Sequence, residues 1–286
     1  MGKLELGKKM INSFDYYNNY HGHTKEHLIS TLENLKELGK QSFVWLAGDS
    51  SLDNKYWIRD EMVNAINGYE QFLDPPQSVP DICYHINCLL QGTDRACIMT
   101  AIEESALNER QTELMVQDQV IQDNIGENDT LIVSVGGNDI VLKPNASTIF
   151  HLGVLLLTPI SVMKSTPSFG YFVNMFKNQV EDYIQRLTSE CHPKQIFVCM
   201  IYYPCTKGCG WADTSLKLMG YLWNPSRLQQ MIKMIYEEAT CQIENITPVP
   251  LFEILDSDNI DHYIARVEPS NEGGRLIAEY IMNLIG

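Results

Sequence analysis

The sequence has no uninterrupted apolar run long enough to cross a bilayer. Its most hydrophobic window, residues 149–163, is short and contains His151 and Pro159. Residues 1–9 lack the apolar core that a secretory signal needs. We therefore expect no membrane-spanning segment and a cytoplasmic protein, in which the eight cysteines are reduced.

Basic residues are also scarce. The 286 residues include 21 Lys and Arg against 36 Asp and Glu, which gives a formal net charge of -15. Because this charge repels phosphate groups, neither nucleic acid nor an anionic membrane surface is expected as a ligand. A neutral or cationic small molecule is favoured, no cofactor is predicted, and the acidic charge is compatible with protein partners.

The chain has no internal repeat or low-complexity tract, and 44% hydrophobic residues are enough for a large core. Five apolar runs alternate with segments of helical pattern. The runs are residues 43–47, 96–102, 130–135, 194–203 and 246–252. This alternation predicts a three-layer α/β/α sandwich around a parallel sheet of about five strands. We assign residues 1–40 to an N-terminal extension with one helix and residues 41–286 to the main domain.

Two small-residue turns follow the first and third of these runs. Gly48-Asp49-Ser50 precedes a helix predicted over residues 55–66, and Gly136-Gly137-Asn138-Asp139 follows residues 130–135. The carboxyl ends of parallel strands share one crevice, where a nucleophile and a developing oxyanion are well placed. The alternative is that Asp49, Ser50 and Asp139 only cap turns and helices.

A third segment completes a recognisable order of motifs. Gly-Asp-Ser at 48–50, Gly-x-Asn-Asp at 136–139 and Pro-Ser-x-x-Gly-x-x-x-Ile-Ala at 269–278 resemble the SGNH (GDSL-type) hydrolases over residues 42–285. The resemblance implies an SGNH/flavodoxin-like fold and an ester-hydrolysing serine. Ser50 would be the nucleophile. Its backbone N–H and the Asn138 side chain would bind the oxyanion, with Asp49, Gly137 and Asp139 supporting the two turns.

Two blocks depart from the family pattern. Where the family has an Asp and, three residues later, a His before Pro-Ser, this chain has Ala265 and Glu268. The block that supplies an oxyanion glycine corresponds to residues 100–108, which contain none, so the N–H of Ser105 or Ala106 would have to donate. Gly-Gly-Asn-Asp-Ile, Ile-Tyr-Tyr-Pro and Ala-Arg-Val-Glu-Pro-Ser resemble a divergent eukaryotic branch, which implies that the glutamate is a property of that branch.

The identity of the general base is therefore left open, and there are three alternatives. Glu268 can act if burial raises its pKa, because an ordinary glutamate gives up at most about 3 kcal/mol of proton-transfer driving force relative to imidazole. His262, six residues earlier, can reach the crevice if its loop folds back. If neither acts, the chain is an inactive SGNH-fold protein with a binding or structural role.

Carboxylates near the crevice raise the question of a metal. Asp49, Asp53, Asp139 and Glu268 are oxygen donors of the kind that hard cations prefer. We favour backbone capping for Asp49 and Asp139 and predict no metal. The sequence thus predicts a serine esterase for a carboxylic ester or acetyl group with an atypical base.

An apolar insertion follows the second turn. Residues 141–170 either form a lid or substrate wall beside the crevice or pack into the core. If they form a lid, Leu155 and Leu156 are expected to affect the preference for substrate chain length.

Overall fold

Five parallel strands form the central sheet of the computed structural model, which describes residues 9–285. The strands are β1 (Ser42–Gly48), β2 (Arg95–Met99), β3 (Thr130–Ser134), β4 (Gln195–Met200) and β5 (Thr247–Pro250). Their order in the sheet is β2-β1-β3-β4-β5. The predicted parallel sheet and all five predicted strands are confirmed.

Helices fill the connections between the strands. Before β2 lie α1 (Ser13–Tyr17), α2 (Lys25–Glu37) and α3 (Ile82–Leu89). Between β2 and β4 lie α4 (Val116–Asn124), α5 (Asn138–Val141), α6 (Ala146–Leu157), α7 (Ile160–Met163), α8 (Pro167–Asn174) and α9 (Val180–Leu187), with a π-helical segment, Met175–Gln179, joining α8 to α9. The remaining helices are α10 (Asp213–Leu218), α11 (Pro225–Glu238), α12 (Leu251–Ile254) and α13 (Asn271–Ile285).

Short elements complete the fold. The 3₁₀ turns are Lys55–Ile58, Tyr69–Gln71, Asn108–Arg110, Thr240–Gln242 and Ile260–His262. Two-residue strands pair Ile11–Asn12 with Leu73–Asp74, Val63–Asn64 with Gln77–Ser78, and Tyr263–Ile264 with Glu268–Pro269.

The helices cover both faces of the sheet. Alternate side chains of β1 point to opposite faces, so that Trp45 belongs to one buried cluster and Val44 and Leu46 to the other. The first cluster includes buried residues of α2, α4, α9 and α11, and the second includes those of α3 and α13. The chain is therefore the predicted three-layer sandwich.

The order of the strands fixes the place of the crevice. The chain passes from β1 to β2 on one side and then to β3 on the other side of β1, with Gly48 opposite Ser134 in the β1–β3 register. Ligands of open α/β sheets bind at such a reversal, beyond the carboxyl ends of the strands. The turns after β1 and β3 meet at this point.

The helix predicted over residues 55–66 is wrong. Only the 3₁₀ turn Lys55–Ile58 forms, and residues 63–64 are already extended. The Asn54 side chain accepts from the N–H of Ile82 at 3.1 Å and donates to the carbonyl of Pro269 at 3.2 Å. Because these long-range bonds hold the segment against α3 and the start of α13, a helix dipole does not support the Ser50 turn.

The N-terminal segment packs into the core. Tyr16 and Tyr17 are buried in the same cluster as Trp45, and His23 is fully buried with its ring stacked on Tyr16, the ring centroids 3.8 Å apart. The spacing of His21-Gly22-His23 without further nearby ligands predicts an exposed turn, and this prediction is wrong for His23. Residues 1–8, on which the prediction about a secretory signal rests, lie outside the described residues. The boundary at residue 40 stays a prediction. Within residues 9–285, no helix is both long and apolar enough to cross a membrane.

Candidate active site

The turn after β1 presents Ser50 at the edge of the sheet. Gly48 has a φ of +130°, and a Cβ there would lie 1.8 Å from the carbonyl oxygen of Ser134, so only glycine fits this approach to β3. The N–H of Asp49 donates to that same carbonyl at 3.0 Å, and Asp49 Oδ1 accepts from the N–H of Ser51 at 3.0 Å. Ser50, 7% exposed, stands between these two anchored residues.

The turn after β3 brings Asn138 to the same place. Asn138 begins α5, and its Nδ2 donates to the carbonyl of Ser105 at 2.9 Å. The Asp139 carboxylate accepts from the N–H groups of Leu107 at 2.7 Å and Asn108 at 2.9 Å. Asp139 thus ties residues 105–108 to the turn, as capping predicts, and Asn138 keeps one Nδ2 hydrogen for a ligand.

The expected backbone donors of residues 105–106 have internal partners. The N–H of Ser105 donates to the carbonyl of Ile102 at 3.2 Å, and that of Ala106 donates to the Glu109 carboxylate at 2.8 Å. The N–H of Ser50 has no hydrogen-bond partner among residues 9–285. The donors that remain for an oxyanion are therefore the Ser50 N–H and Asn138 Nδ2.

Glu268 lies in the crevice beside Ser50. It is 1% exposed, its Oε1 accepts from the indole N–H of Trp211 at 2.9 Å, and its buried Oε2 has no hydrogen-bond partner among the described residues. Burial raises the pKa of Glu268 to about 8, while Trp211 and the Ser50 hydroxyl act to lower it. The carboxylate thus has one oxygen held by Trp211 and one available to take a proton.

A hairpin and a loop fix the position of Glu268. Glu268 follows Ala265 and Arg266, which have left-handed φ values of 45° and 73°. The guanidinium of Arg266 donates to Asp213 at 2.7 Å, to the carbonyl of Cys205 at 2.7 Å and to the carbonyl of Gly208. Arg266 therefore joins the hairpin that carries Glu268 to the loop that carries Trp211, which accounts for the tolerated backbone strain.

Further carboxyl groups lie near Ser50 and Glu268. Burial raises the pKa of Asp49 to about 6, and its Oδ2 is unpaired among the described residues. Burial and then the charge of Glu268 raise the pKa of Glu103 to about 10. Asp53 forms a fully buried ion pair with Lys55 at 2.6 Å. These buried acids have few positive charges near them. The protonated, neutral form of the most buried ones is therefore favoured.

An apolar cavity of about 90 Å³ opens at this cluster. Ser50, Gly137, Asn138 and Glu268 line it. The apolar part of its wall comes from several helices: Leu152 of α6, Phe172 of α8, Leu216 of α10, and Leu228, Met231, Ile232 and Ile235 of α11. The inserted segment therefore supplies part of the crevice wall through Val141 and Leu152, whereas Leu155 is fully buried in the core and lies outside the lining.

His262 and the carboxylates take other positions. His262 Nδ1 accepts from the N–H of Asp256 at 3.1 Å, and the residue does not line the cavity. Within residues 9–285, no three His, Cys, Asp or Glu side chains are grouped so that they could hold a metal ion. Of the predicted site residues, Ser50, Asp49, Gly137, Asn138 and Glu268 share the cavity. Ser105 accepts from Asn138 through its carbonyl, Asp139 holds residues 107–108 through its carboxylate, and the Ala106 N–H is taken by Glu109.

Sequence reasoning missed two residues of the site. Trp211 lies 57 residues before Glu268 in an irregular loop, where no periodic pattern marks it. Glu103 lies in the stretch assigned to the second motif block, and its place directly after the apolar residues 101–102 at the end of a predicted strand is a signal of its position. Both act on the charge of Glu268.

Comparison with known proteins finds similar chains among solved structures alone. No family model matches the sequence, and no curated protein matches it. An acetylxylan esterase from Geobacillus stearothermophilus is 14% identical, with a TM-score of 0.48 over 87% of this chain and 95% of its own. A lipase/acylhydrolase from Enterococcus faecalis is 13% identical, with a TM-score of 0.46 over 86% of this chain and 95% of its own. A member of the lipolytic protein G-D-S-L family from Veillonella parvula is 10% identical, with a TM-score of 0.45 over 85% of this chain and 98% of its own.

Proposed function

We propose that this chain is a serine hydrolase of the SGNH type that cleaves a carboxylic ester through an acyl-enzyme, with Ser50 as nucleophile and Glu268 as general base. The observation that carries the proposal is the unpaired, buried Oε2 of Glu268 in the same cavity as Ser50. A serine hydroxyl needs such an acceptor for its proton when it attacks. The Ser50 hydroxyl is close enough to stabilise the charged form of Glu268.

The first half of the reaction forms the acyl-enzyme. Ser50 Oγ attacks the carbonyl carbon while its proton passes to Glu268 Oε2. The carbonyl oxygen becomes an oxyanion that the Ser50 N–H and Asn138 Nδ2 stabilise. When the intermediate collapses, the bond to the alcohol oxygen breaks, and Glu268 returns the proton to the departing alcohol.

The second half releases the acid. Glu268, again ionised, takes a proton from water, and the hydroxide attacks the acyl carbon. The same donors hold the second oxyanion, the ester bond to Ser50 Oγ breaks, and the proton returns to Ser50. Trp211 orients the carboxylate throughout by holding Oε1.

A second candidate is a binding protein without turnover, and two observations favour it. The N–H of Ala106 is occupied by Glu109, which leaves fewer oxyanion donors. A pKa of about 8 also keeps most of Glu268 protonated at neutral pH. Under this alternative the cavity binds an apolar or acylated ligand and Ser50 is unreactive.

Labelling with a fluorophosphonate at pH 9 separates the two functions. The reagent forms an Oγ–P bond, fluoride leaves, and the serine proton passes to Glu268. We expect labelling of the wild type and of Ser226→Ala, a control at an exposed serine outside the cavity lining, and none of Ser50→Ala. An unlabelled wild type at pH 9, where Glu268 is ionised, would support the binding protein instead.

Three expectations from the sequence belong to the same proposal. These are membership of the divergent eukaryotic branch with glutamate in place of the catalytic histidine, a cytoplasmic location, and main-domain boundaries at residues 41–286. The order of the motifs and the pairing of Ser50 with Glu268 support membership of that branch, because Glu268 lies beside Ser50, where a general base is needed.

A further inference from the structure

Acidic residues are unevenly distributed along the chain. Residues 140–180 and 214–236 contain no Asp or Glu, although the whole chain has 36. The negative charge of the protein therefore lies outside these two segments. The basic residues that the two segments contain are Lys143, Lys164, Lys177, Lys217, Arg227 and Lys233.

The two segments are neighbours in the fold. They contain α6, α7 and α8 and most of α10 and α11. The guanidinium of Arg227 donates to the carbonyls of Leu155 at 2.7 Å and Thr158 at 2.5 Å, which joins the start of α11 to the end of α6. The Ser215 hydroxyl donates to the carbonyl of Val141 at 3.1 Å, which joins α10 to the end of α5. We call the exposed surface of residues 140–180 and 214–236 the acid-free face.

Large apolar side chains are exposed on the acid-free face. Helix α6 contains no Asp, Glu, Lys or Arg, and Phe150 and Leu157, two turns apart, lie on its outer side. Leu157 is 88% exposed, Leu218 on α10 is 81% exposed, and Trp223, shortly before α11, is 71% exposed. Such a group of apolar side chains in water is typical of an interaction surface. Ile149, Val162 and Leu222 are exposed as well.

The lysines beside these apolar groups have no acidic partner. Lys217, which precedes Leu218, and Lys233 on α11 are exposed, and neither forms an ion pair within residues 9–285. The acid-free face is therefore apolar and positively charged, in contrast to the chain as a whole. Ion pairs at its margin are Lys143 with Glu109, Lys164 with Glu238, and Asp213 with Arg266.

We propose that the acid-free face binds the surface of a lipid bilayer that contains anionic lipids. Phe150, Leu157 and Leu218 would enter the layer between the headgroups and the acyl chains. Trp223 suits the headgroup level, and Lys217 can extend to a lipid phosphate while its apolar stem stays in contact with the bilayer. The net charge of -15 opposes such binding only where acidic residues face the lipid, and this face has none.

A second copy of this chain is a less suitable occupant of the acid-free face. Two copies that meet through it would place the unpaired lysines of one copy near those of the other, where like charges repel. An anionic lipid surface neutralises the lysines and also accepts the apolar side chains. Charge and apolar exposure together therefore favour the bilayer.

Co-sedimentation of the full chain with vesicles tests the inference without any substrate. One set of vesicles contains phosphatidylcholine alone, and the other contains phosphatidylcholine and phosphatidylglycerol in equal amounts. We expect binding to the mixed vesicles that is at least about tenfold tighter than binding to phosphatidylcholine and that weakens as salt is added. Equal binding to both sets, or binding to neither, would overturn the inference. Turnover does not enter this measurement, so the proposed function can fail while the inference stands.

Two variants test which surface makes the contact. Lys217→Gln should lower the partition constant for the mixed vesicles about fivefold, and Leu157→Gln about tenfold. The matched controls are Lys36→Gln on α2 and Leu89→Gln on α3, which are exposed and lie outside the acid-free face. Both controls should bind like the wild type. An equal loss of binding in the controls would overturn the assignment to this face.

Sedimentation velocity without vesicles tests the second copy as occupant. We expect a monomer for the wild type and for Leu157→Gln. A dimer of the wild type that Leu157→Gln dissociates would overturn the inference and make the acid-free face an interface between two copies.

Discussion

The indole N–H of Trp211 donates a 2.9 Å hydrogen bond to Oε1 of Glu268, and this contact orients the carboxylate and lowers its pKa against the effect of burial. A hydrogen bond to the ionised form lowers a carboxyl pKa, so Trp211 opposes the rise that burial causes. In many serine hydrolases a carboxylate orients a histidine base. In the mechanism that we propose, a neutral indole orients a carboxylate base.

Trp211→Phe should move the pH dependence of ester hydrolysis upward. The base must be ionised to act, so kcat/KM of the wild type should rise with pH through an apparent pKa near 8. Loss of the indole donor raises that pKa further. Activity at pH 7 should fall up to about tenfold, which corresponds to about 1.4 kcal/mol for one charge-assisted hydrogen bond, and recover by pH 10. Trp223→Phe, at a 71% exposed tryptophan, is the control and should leave the profile unchanged.

Asn138 and Asp139 are neighbours with separable effects. Asn138→Ala removes the proposed oxyanion donor and should lower kcat about 10²- to 10³-fold with little change of KM. Asp139→Ala removes the acceptor of two N–H groups, at Leu107 and Asn108, and should lower the free energy of unfolding by about 1–3 kcal/mol. Steady-state kinetics and urea unfolding of both variants measure the two effects. Equal losses of kcat without a stability change in Asp139→Ala would contradict this division.

Glu103 should make the protein less stable as the pH rises. Its pKa is raised to about 10 in the folded chain, so from about pH 4.5 upward the folded state holds a proton that the unfolded state has released. Stability therefore falls with increasing pH across that window. Glu103→Gln removes this dependence. The change that the substitution causes in the free energy of unfolding should therefore be about 2–4 kcal/mol more favourable at pH 8 than at pH 4.

Urea unfolding at the two pH values measures this difference. Glu113→Gln is the matched control, because Glu113 is exposed, and it should show no such difference. If Glu103→Gln is destabilising by the same amount at both pH values, Glu103 does not carry a buried proton.

The strands and the two turns could be predicted because local patterns determine them. The β1 run is apolar on both faces, and Gly48 must be a glycine because its Cβ would meet β3. The position of Glu268 follows from contacts distant in sequence, since Arg266 joins its hairpin to residues 205–213. No periodic pattern contains such a connection.

The incorrect helix over residues 55–66 has the same origin. Its local pattern is helical, but the Asn54 side chain binds Ile82 and Pro269, and Lys55 is fully buried with Asp53. These tertiary bonds outweigh a weak local preference. The sequence likewise leaves the insertion open between a crevice wall and core packing, because its spacing does not distinguish the side of α6 that carries Leu152, which lines the cavity, from the side that carries Leu155, which is buried in the core.

The central claim is that Glu268 takes the proton of Ser50, and hydrolysis of p-nitrophenyl acetate from pH 4 to 10 tests it most directly. The wild type, Ser50→Ala, Glu268→Gln and His262→Ala are compared. We predict that Ser50→Ala and Glu268→Gln each lose at least about 10³-fold in kcat, while His262→Ala keeps the wild-type rate and its apparent pKa near 8. Loss of activity in His262→Ala with retention in Glu268→Gln would contradict the claim and assign the base to the histidine.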